Sequence, residues 1–260
     1  MTIPSSVTSI GSCAFLGCSG LKKVIVTDIA AWCGISFDDN YTSSYPFYYA
    51  KHLYSDENTE ITDLVIPSFV PSIGSSAFQY CSGLKSVTIT EGVTSIGNSA
   101  FYGCSGLTSV TIPEGVTSIG SSAFSSYSGL TSVTIPSSVT SIGQKAFNCD
   151  NLATVVSLIE DPFTIENNTF SQNTFMNASL MIPTGTKDKY KTTGGWKKFL
   201  FIEEQDPSQL SGIEAVNQDT PQESSVTSRY NLGGEKITAP QRGINIIKMS
   251  DGTIRKVVVR

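Results

Sequence analysis

The sequence predicts a solenoid, a fold in which short coils of chain stack on one another. The stretch Thr108–Thr131 nearly matches its neighbours when it is shifted by 23 residues in either direction. Each copy carries an Ile-Gly pair and, four residues after the Ile, an Ala-Phe pair. The Ile markers are Ile10, Ile73, Ile96, Ile119 and Ile142. Self-similarity at a fixed period indicates a stacked array rather than a single packed core.

The first element of each copy is a strand with the pattern Leu-x-x-Val-x-Ile. It occurs at Leu84–Ile89, Leu107–Ile112 and Leu130–Ile135, and in a looser form at Leu21–Val26. Apolar residues alternate with Ser and Thr, which is typical of a strand with one buried face.

The second element is a shorter extended piece that ends at the Ile-Gly pair. Gly then predicts a bend, and Ser-x-Ala-Phe predicts a tight turn that sends Phe inward. We therefore expect Phe78, Phe101 and Phe124 to stack along the axis of the array.

These motifs, together with a Cys-Ser-Gly-Leu closure at Cys18, Cys81 and Cys104, resemble the BspA-like leucine-rich repeats of bacterial surface proteins. The resemblance covers residues 1–156. It implies a β-rich right-handed superhelix with a parallel sheet along one side and short turns or helical pieces between strands. The period also lies within the range expected for leucine-rich repeats.

Residues 27–60 interrupt the repeat and form the most aromatic part of the chain. This insertion contains Tyr41, Tyr45, Phe47, Tyr48, Tyr49 and Tyr54. Two interpretations remain open: a longer coil that packs its aromatic side chains internally, or an exposed recognition bulge. Irregular insertions in solenoids often lie on the binding face.

Three segments follow the array. Residues 157–205 read as degenerate repeats and a cap, in which Trp196 and Phe199 would cover the last coil while the nearby lysines stay in water. Residues 206–228 read as a linker. Residues 229–260 predict a small β-rich module, because Gly-Gly and Asp-Gly separate alternating apolar residues. This tail is similar to the C-terminal sorting tails of secreted Bacteroidetes proteins.

The charges argue against a nucleic-acid partner. The chain has a net charge of −5, and its basic excess is confined to the tail, where residues 229–260 carry all four Arg. No apolar run is long enough for a transmembrane span. Because Thr2-Ile3-Pro4 matches Thr111-Ile112-Pro113, we expect the sequence to begin inside a repeat, with an export signal and further repeats upstream.

Catalytic and metal-binding signals are weak. The single histidine, His52, has Cys33, Asp38 and Asp39 near it in sequence, but their spacing matches no known nucleophile signature. No Cys-x-x-Cys pair and no phosphate-binding glycine loop occur, so we predict no catalytic residue, no cofactor and no metal. Cys18, Cys81 and Cys104 are expected to be small buried residues, although stacked coils would bring Cys81 and Cys104 close enough for a disulfide.

The remaining candidates lie on the surface. Lys23 and Ile25 should point outward from the first strand, and later strands should present a nearly uncharged strip rich in hydroxyl groups. The candidate partner-binding residues are Asp63, Ser86, Thr88, Ser109, Thr111, Ser132 and Thr134 on the sheet, and Tyr45, Tyr48 and Tyr49 in the insertion. Such a strip can form many modest hydrogen bonds, although Ser and Thr also occur on strand surfaces simply because they suit them.

Taken together, these features predict a non-enzymatic, monomeric leucine-rich repeat protein, secreted or displayed at the cell surface. Its expected partner is a host or matrix protein, or a glycan. The alternative is a passive spacer or surface-layer scaffold that displays other modules.

Overall fold

The computed structural model describes residues 1–38, 42–126 and 129–205, together with the backbone of four strands at 226–230, 236–237, 243–249 and 254–259. Tyr41, Asp39 and most of the expected linker lie outside the described residues. The chain divides into two compact units, Met1–Ile213 and Glu214–Arg260.

The first unit is built of short strands that recur at the repeat spacing. They are β1 (Thr2–Ile3), β2 (Ser9–Ile10), β3 (Val24–Val26), β4 (Ser36–Phe37), β5 (Leu53–Tyr54), β6 (Asp63–Ile66), β7 (Ser72–Ile73), β8 (Ser86–Ile89), β9 (Ser95–Ile96), β10 (Ser109–Thr111), β11 (Ser118–Ile119), β12 (Ser132–Ile135), β13 (Ser141–Ile142), β14 (Thr154–Ser157), β15 (Ser179–Pro183) and β16 (Phe201–Gln205).

Among the described residues, helices are few and short, as the repeat pattern predicts. The α-helices are α1 (Ile29–Cys33), α2 (Phe47–Ala50), α3 (Gln172–Asn177) and α4 (Lys187–Thr192), and two 3₁₀ turns occupy Thr42–Ser44 and Trp196–Lys198.

Each regular coil contributes one strand to each of two parallel sheets. The longer strands form three ladders, β1-β3-β5, β6-β8-β10 and β12-β14-β15-β16, rather than the single sheet that the resemblance implies. The two-residue strands form the ladder β7-β9-β11-β13, and β2 pairs with β4. The leucine-rich repeat solenoid is confirmed, but its main ladder is interrupted between β10 and β12.

The strands pair in the register of the repeat, so identical side chains lie on top of one another. Val87 pairs with Val110, and Ile96 pairs with Ile119. The expected phenylalanine stack is confirmed and is longer than predicted, since successive ring centroids lie 5.3 to 5.6 Å apart. Its members are Phe78, Phe101, Phe124, Phe147 and Phe170.

The close approach of the coils requires a glycine after the marker Ile at Gly74, Gly97, Gly120 and Gly143, whereas a Cβ atom at Gly11 would meet nothing within 4 Å. A Cβ atom at Gly97 would lie 2.5 Å from the backbone nitrogen of Ser75, and one at Gly120 would lie 2.5 Å from that of Asn98. Any side chain at these four positions would therefore force the coils apart.

The last coil is covered by aromatic side chains. Trp196 and Phe199 are buried, and both rings contact Phe170, the last member of the stack. The Trp196 indole donates a hydrogen bond to the carbonyl oxygen of Phe163 at 2.9 Å. Lys189, Lys191 and Lys197 are exposed.

The insertion packs its aromatic side chains into the same hydrophobic core as the repeats. Asp28 caps α1 by accepting a hydrogen bond from the Ala31 amide at 3.0 Å. Trp32 is buried, and its indole donates to the carbonyl oxygen of Ala77 at 2.8 Å. The Trp32 ring also contacts Phe37 and Phe47 in edge-to-face geometry.

The second unit is a four-stranded antiparallel sheet, in agreement with the hairpin signals of its sequence. Its strands are β17 (Val226–Tyr230), β18 (Lys236–Ile237), β19 (Gly243–Met249) and β20 (Ile254–Val259), in the order β18-β17-β19-β20. Strand β17 starts three residues before the boundary expected at residue 229.

Candidate binding surfaces

Seven candidate residues lie on the outward side of the long strands, and we call them the outer strip: Asp63, Ser86, Thr88, Ser109, Thr111, Ser132 and Thr134. Alternation along each strand places them there, because Leu64, Val87 and Val133 point into the core. Asp63, Thr88 and Thr111 are exposed, and the others are partly exposed.

The structure groups these residues in two sets. Asp63 pairs with Ser86, which pairs with Ser109, and Thr88 pairs with Thr111. Ser132 and Thr134 belong to the next ladder, where their partners are Thr154 and Val156. The strip is therefore not one continuous ladder.

Asp63 is the one charged residue of the outer strip. The Ser86 hydroxyl donates a hydrogen bond to one of its carboxylate oxygens at 2.5 Å, and Thr62 donates to the other at 2.9 Å. These two bonds lower the pKa of the Asp63 carboxyl, that from Ser86 having the larger effect. The carboxylate is accordingly charged at neutral pH.

The row of exposed hydroxyl-bearing side chains does not extend along the whole array. At the outward position, Ile25 in the first ladder and Val156 in the last are both buried. Ile25, expected to point into solvent, is only 3% exposed, and its ladder neighbours are Thr2 and the partly buried Tyr54. Beyond Thr134 the same row continues with Val156, which is 1% exposed. The outward expectation was therefore wrong for Ile25.

The insertion divides its tyrosines between core and surface. Tyr45 is 4% exposed and packs against Phe37, so its ring belongs to the core. The prediction that Tyr45 contacts a partner was therefore wrong. Tyr48 is exposed, whereas Tyr49 is partly buried and its hydroxyl accepts a hydrogen bond from the Gly17 amide at 3.3 Å. The insertion thus packs most of its described aromatic side chains internally, as the first interpretation predicts, and leaves Tyr48 exposed.

Two tyrosines of the repeats join this surface, and sequence reasoning missed them. The Tyr80 ring lies 5.3 Å from that of Tyr48, and the Tyr102 ring lies 5.6 Å from that of Tyr80. Their signal was present in the sequence, since each follows the stacked Phe of its coil by one or two residues. We call Tyr48, Tyr49, Tyr80 and Tyr102 the tyrosine cluster.

None of the six cysteines forms a disulfide bond, so the disulfide alternative for Cys81 and Cys104 is not realised. Both of these side chains are buried as expected, and burial, followed by the effect of Cys104, raises the pKa of the Cys81 thiol. Cys18 differs from expectation, because it is exposed.

Of the residues weighed as a catalytic group, His52 and Cys33 lie within the described residues and have identifiable surroundings. His52 pairs with Glu60, with 2.6 Å between Nδ1 and Oε1. Burial and the nearby Asp28 carboxylate raise the pKa of the Cys33 thiol to about 12, which disfavours the reactive thiolate at neutral pH. Among the described residues, no three His, Cys, Asp or Glu side chains cluster as metal ligands would.

Within the part of the chain that the structure describes, no helix is long and apolar enough to cross a membrane.

Several solved structures are similar to the chain. A leucine rich repeat protein of T. pallidum is 20% identical, with 80% of this chain and 70% of that chain covered and a TM-score of 0.38. A leucine rich cell surface protein of Faecalibacterium prausnitzii A2-165 is 30% identical, with 70% and 54% covered and a TM-score of 0.42. A leucine-rich repeat protein of Bacteroides ovatus ATCC 8483 is 19% identical, with 78% and 54% covered and a TM-score of 0.43.

The chain thus spans little more than half the length of the last two proteins. No curated protein matches the sequence significantly. The sequence profile of the BspA type leucine rich repeat region matches six copies, over residues 1–37 and 51–177. Since these matches cover more than half of the sequence, the chain belongs to the BspA-type leucine-rich repeat family.

Proposed function

We propose that the chain is a non-enzymatic protein, secreted or displayed at the cell surface, that binds a host or matrix protein or a glycan through the outer strip. The observation that carries the proposal is the strip itself, two sets of accessible hydroxyl groups on two parallel ladders, with Asp63 as its only charge. Hydroxyl groups on a pre-formed surface lose little entropy on binding.

Two further points support the proposal, one on the location of the protein and one on how it would select a partner. The F. prausnitzii relative is described as a cell surface protein, and it is 30% identical to this chain. The low content of charged residues, 15%, leaves a surface on which hydrogen bonding rather than charge would select a partner.

The experiment is a binding screen of the full chain against extracellular-matrix proteins and a glycan array. One variant changes Thr88, Thr111 and Thr134 to Lys, which places three bulky charges on the strip. The matched control changes Thr94, Thr117 and Thr140 to Lys. These threonines belong to the same coils, are exposed, and donate to the backbone of the preceding coil instead of lining the strip.

Binding that is lost in the strip variant and kept in the control would support the proposal. Equal loss in both variants would indicate a general charge effect, and unchanged binding in the strip variant would place the interaction elsewhere. If no partner in either panel binds, the alternative of a passive spacer or scaffold is favoured.

A separate proposal concerns the second unit. We propose that residues 229–260 direct export or anchoring, because they form a distinct basic module behind an acidic array. Deleting Glu214–Arg260 should leave the thermal unfolding of the array unchanged and prevent surface display in the native host. Normal display after the deletion would contradict this.

A further inference from the structure

The tyrosine cluster is not needed to stack the coils. The positions equivalent to Tyr80 in other coils carry Gly17, Gly103 and Ser126, and those equivalent to Tyr102 carry Leu16, Gln79, Ser125 and Asn148. Every coil that is described closes its turn with one of these residues. The aromatic side chains are therefore additions to a turn that other kinds of residue also complete.

The turn under the cluster has the same left-handed backbone in several coils. Tyr80 has φ 67°, the equivalent Gly17 and Gly103 have φ 75° and 72°, and the equivalent Ser126 has φ 67°. The positive φ therefore belongs to the turn of the repeat, and the ring of Tyr80 is an addition to that turn.

The rings form a corrugated surface rather than a flat platform. Tyr48 and Tyr49 meet at 89°, Tyr48 and Tyr80 at 74°, and Tyr80 and Tyr102 at 85°. Each pair meets edge to face, so the cluster presents ring edges and ring faces in alternation. The hydroxyls of Tyr48 and Tyr102 have no hydrogen-bond partner among the described residues, so they are available as donors beside these rings.

The cluster also carries a positive charge. The Lys51 ammonium lies 5.1 Å from the Tyr48 ring centroid and 5.4 Å from that of Tyr80. Among the described residues, Lys51 makes no ion pair. It covers ring faces on which a sugar would stack, but its remaining N–H groups can bind a carboxylate.

We infer that the tyrosine cluster binds an acidic, proline-rich segment of a partner protein in the polyproline II conformation. Such segments dock in aromatic-lined grooves, and their backbone carbonyls are free to accept hydrogen bonds from tyrosine hydroxyls. The acidic residue is required by charge complementarity with Lys51. This inference rests on the proposed binding function but uses a different surface from the outer strip.

The test is fluorescence anisotropy with the full chain and a short fluorescein-labelled polyproline peptide that carries two central glutamates. A flexible glycine-serine peptide with the same glutamates is the control probe, and an unlabelled cello-oligosaccharide is the competing ligand. We expect saturable binding of the polyproline probe only. Tyr48→Ala and Tyr102→Ala should each weaken it about tenfold or more, and Tyr54→Ala, a partly buried tyrosine outside the cluster, should not.

Further variants test the tyrosine hydroxyls and the Lys51 charge separately from the stability of the fold. Tyr48→Phe and Tyr102→Phe keep the rings and should still weaken binding, because the hydroxyl donors are lost. Lys51→Met should weaken binding and remove most of its salt dependence. The melting temperature of each variant shows whether the fold is intact.

The inference is overturned if the polyproline probe fails to bind, if the glycine-serine probe binds equally well, or if the cluster variants bind like the original chain. Competition by the oligosaccharide would identify a glycan site instead. The outer-strip variant should bind the probe normally. Failure of the strip proposal and failure of this inference are therefore distinguishable.

Discussion

Gly92 and Gly115 occupy equivalent positions of neighbouring coils and differ only in what lies behind them. Both have positive φ, 107° and 97°. A Cβ atom at Gly92 would lie 2.1 Å from the carbonyl oxygen of Ser68, whereas one at Gly115 would meet nothing within 4 Å. The pair therefore separates the cost of backbone conformation from the cost of close coil stacking.

We expect Gly115→Ala to lower the free energy of unfolding by about 1 kcal/mol, the cost of an unfavourable backbone conformation. Gly92→Ala should lower it by about 3 kcal/mol or more, because the backbone of the preceding coil must also move. Urea unfolding of both variants measures the difference. Equal losses would show that the coils are less tightly stacked than the structure indicates.

Glu114 links the turns of two coils through its charge. It accepts hydrogen bonds from the Ser137 amide and hydroxyl, both at 3.0 Å, and from the Ser138 amide at 3.1 Å. Partial burial alone would raise the pKa of this carboxyl, but the bonds from Ser137 and Ser138 outweigh it, and the pKa is lowered. The folded chain thus holds the proton more weakly than the unfolded chain does.

The stability contributed by Glu114 is complete above the unfolded pKa of about 4.3 and is lost as the pH falls through the lower folded pKa. Glu114→Gln should cost about 0.5 kcal/mol at neutral pH, since the group is largely solvated. It should also reduce the decline in stability between about pH 5 and about pH 3. Glu91→Gln, at the same position one coil earlier, is the control, and parallel pH profiles for the two variants would contradict the assignment.

At the scale of the element, the phenylalanine stack holds the coils in register. Phe101 is fully buried between Phe78 and Phe124, with interplanar angles of 6° on both sides. Replacing it by Ala should cost about 3 to 5 kcal/mol, because the cavity cannot close between two rigid coils. Phe69→Ala is the control, since its ring is 76% exposed and its loss should change the stability by no more than about 0.5 kcal/mol. Similar melting temperatures for the two variants would argue against a core role for the stack.

The regular elements could be predicted because the period places equivalent residues in equivalent surroundings. The Leu-x-x-Val-x-Ile strands and the Phe stack required only the repeat and the alternation of strands. The insertion has no such copy. The burial of Tyr45 and Ile25 depends on how residues 27–60 fold back, and no local pattern encodes that.

The same reasoning explains why the candidate surfaces were only partly found. Thr88 and Thr111 could be placed on the outer strip from alternation alone. The tyrosine cluster could not, because it joins Tyr48 of the insertion to Tyr80 and Tyr102 of later coils, and this contact depends on the position of α2 beside the turns. The interruption of the ladder between β10 and β12 also has no signal in the strand sequences, which are nearly identical.

At the scale of the whole molecule, stacking makes stability a sum over neighbouring coils. Deleting residues 97–119 removes one complete coil and joins Ile96 to Gly120, so every remaining strand keeps its register. We expect a shorter folded array with a lower free energy of unfolding and an unchanged type of circular dichroism spectrum.

Deleting only residues 97–108, about half a coil, is the matched control. It would place Phe124 and its neighbours out of line with Phe78 and leave strand β10 without its partner β8, so we expect loss of cooperative thermal unfolding. A single globular core would respond in the opposite order, because the larger deletion would remove more of it. If the 23-residue deletion unfolds the chain while the shorter one is tolerated, the first unit is not an array of equivalent coils.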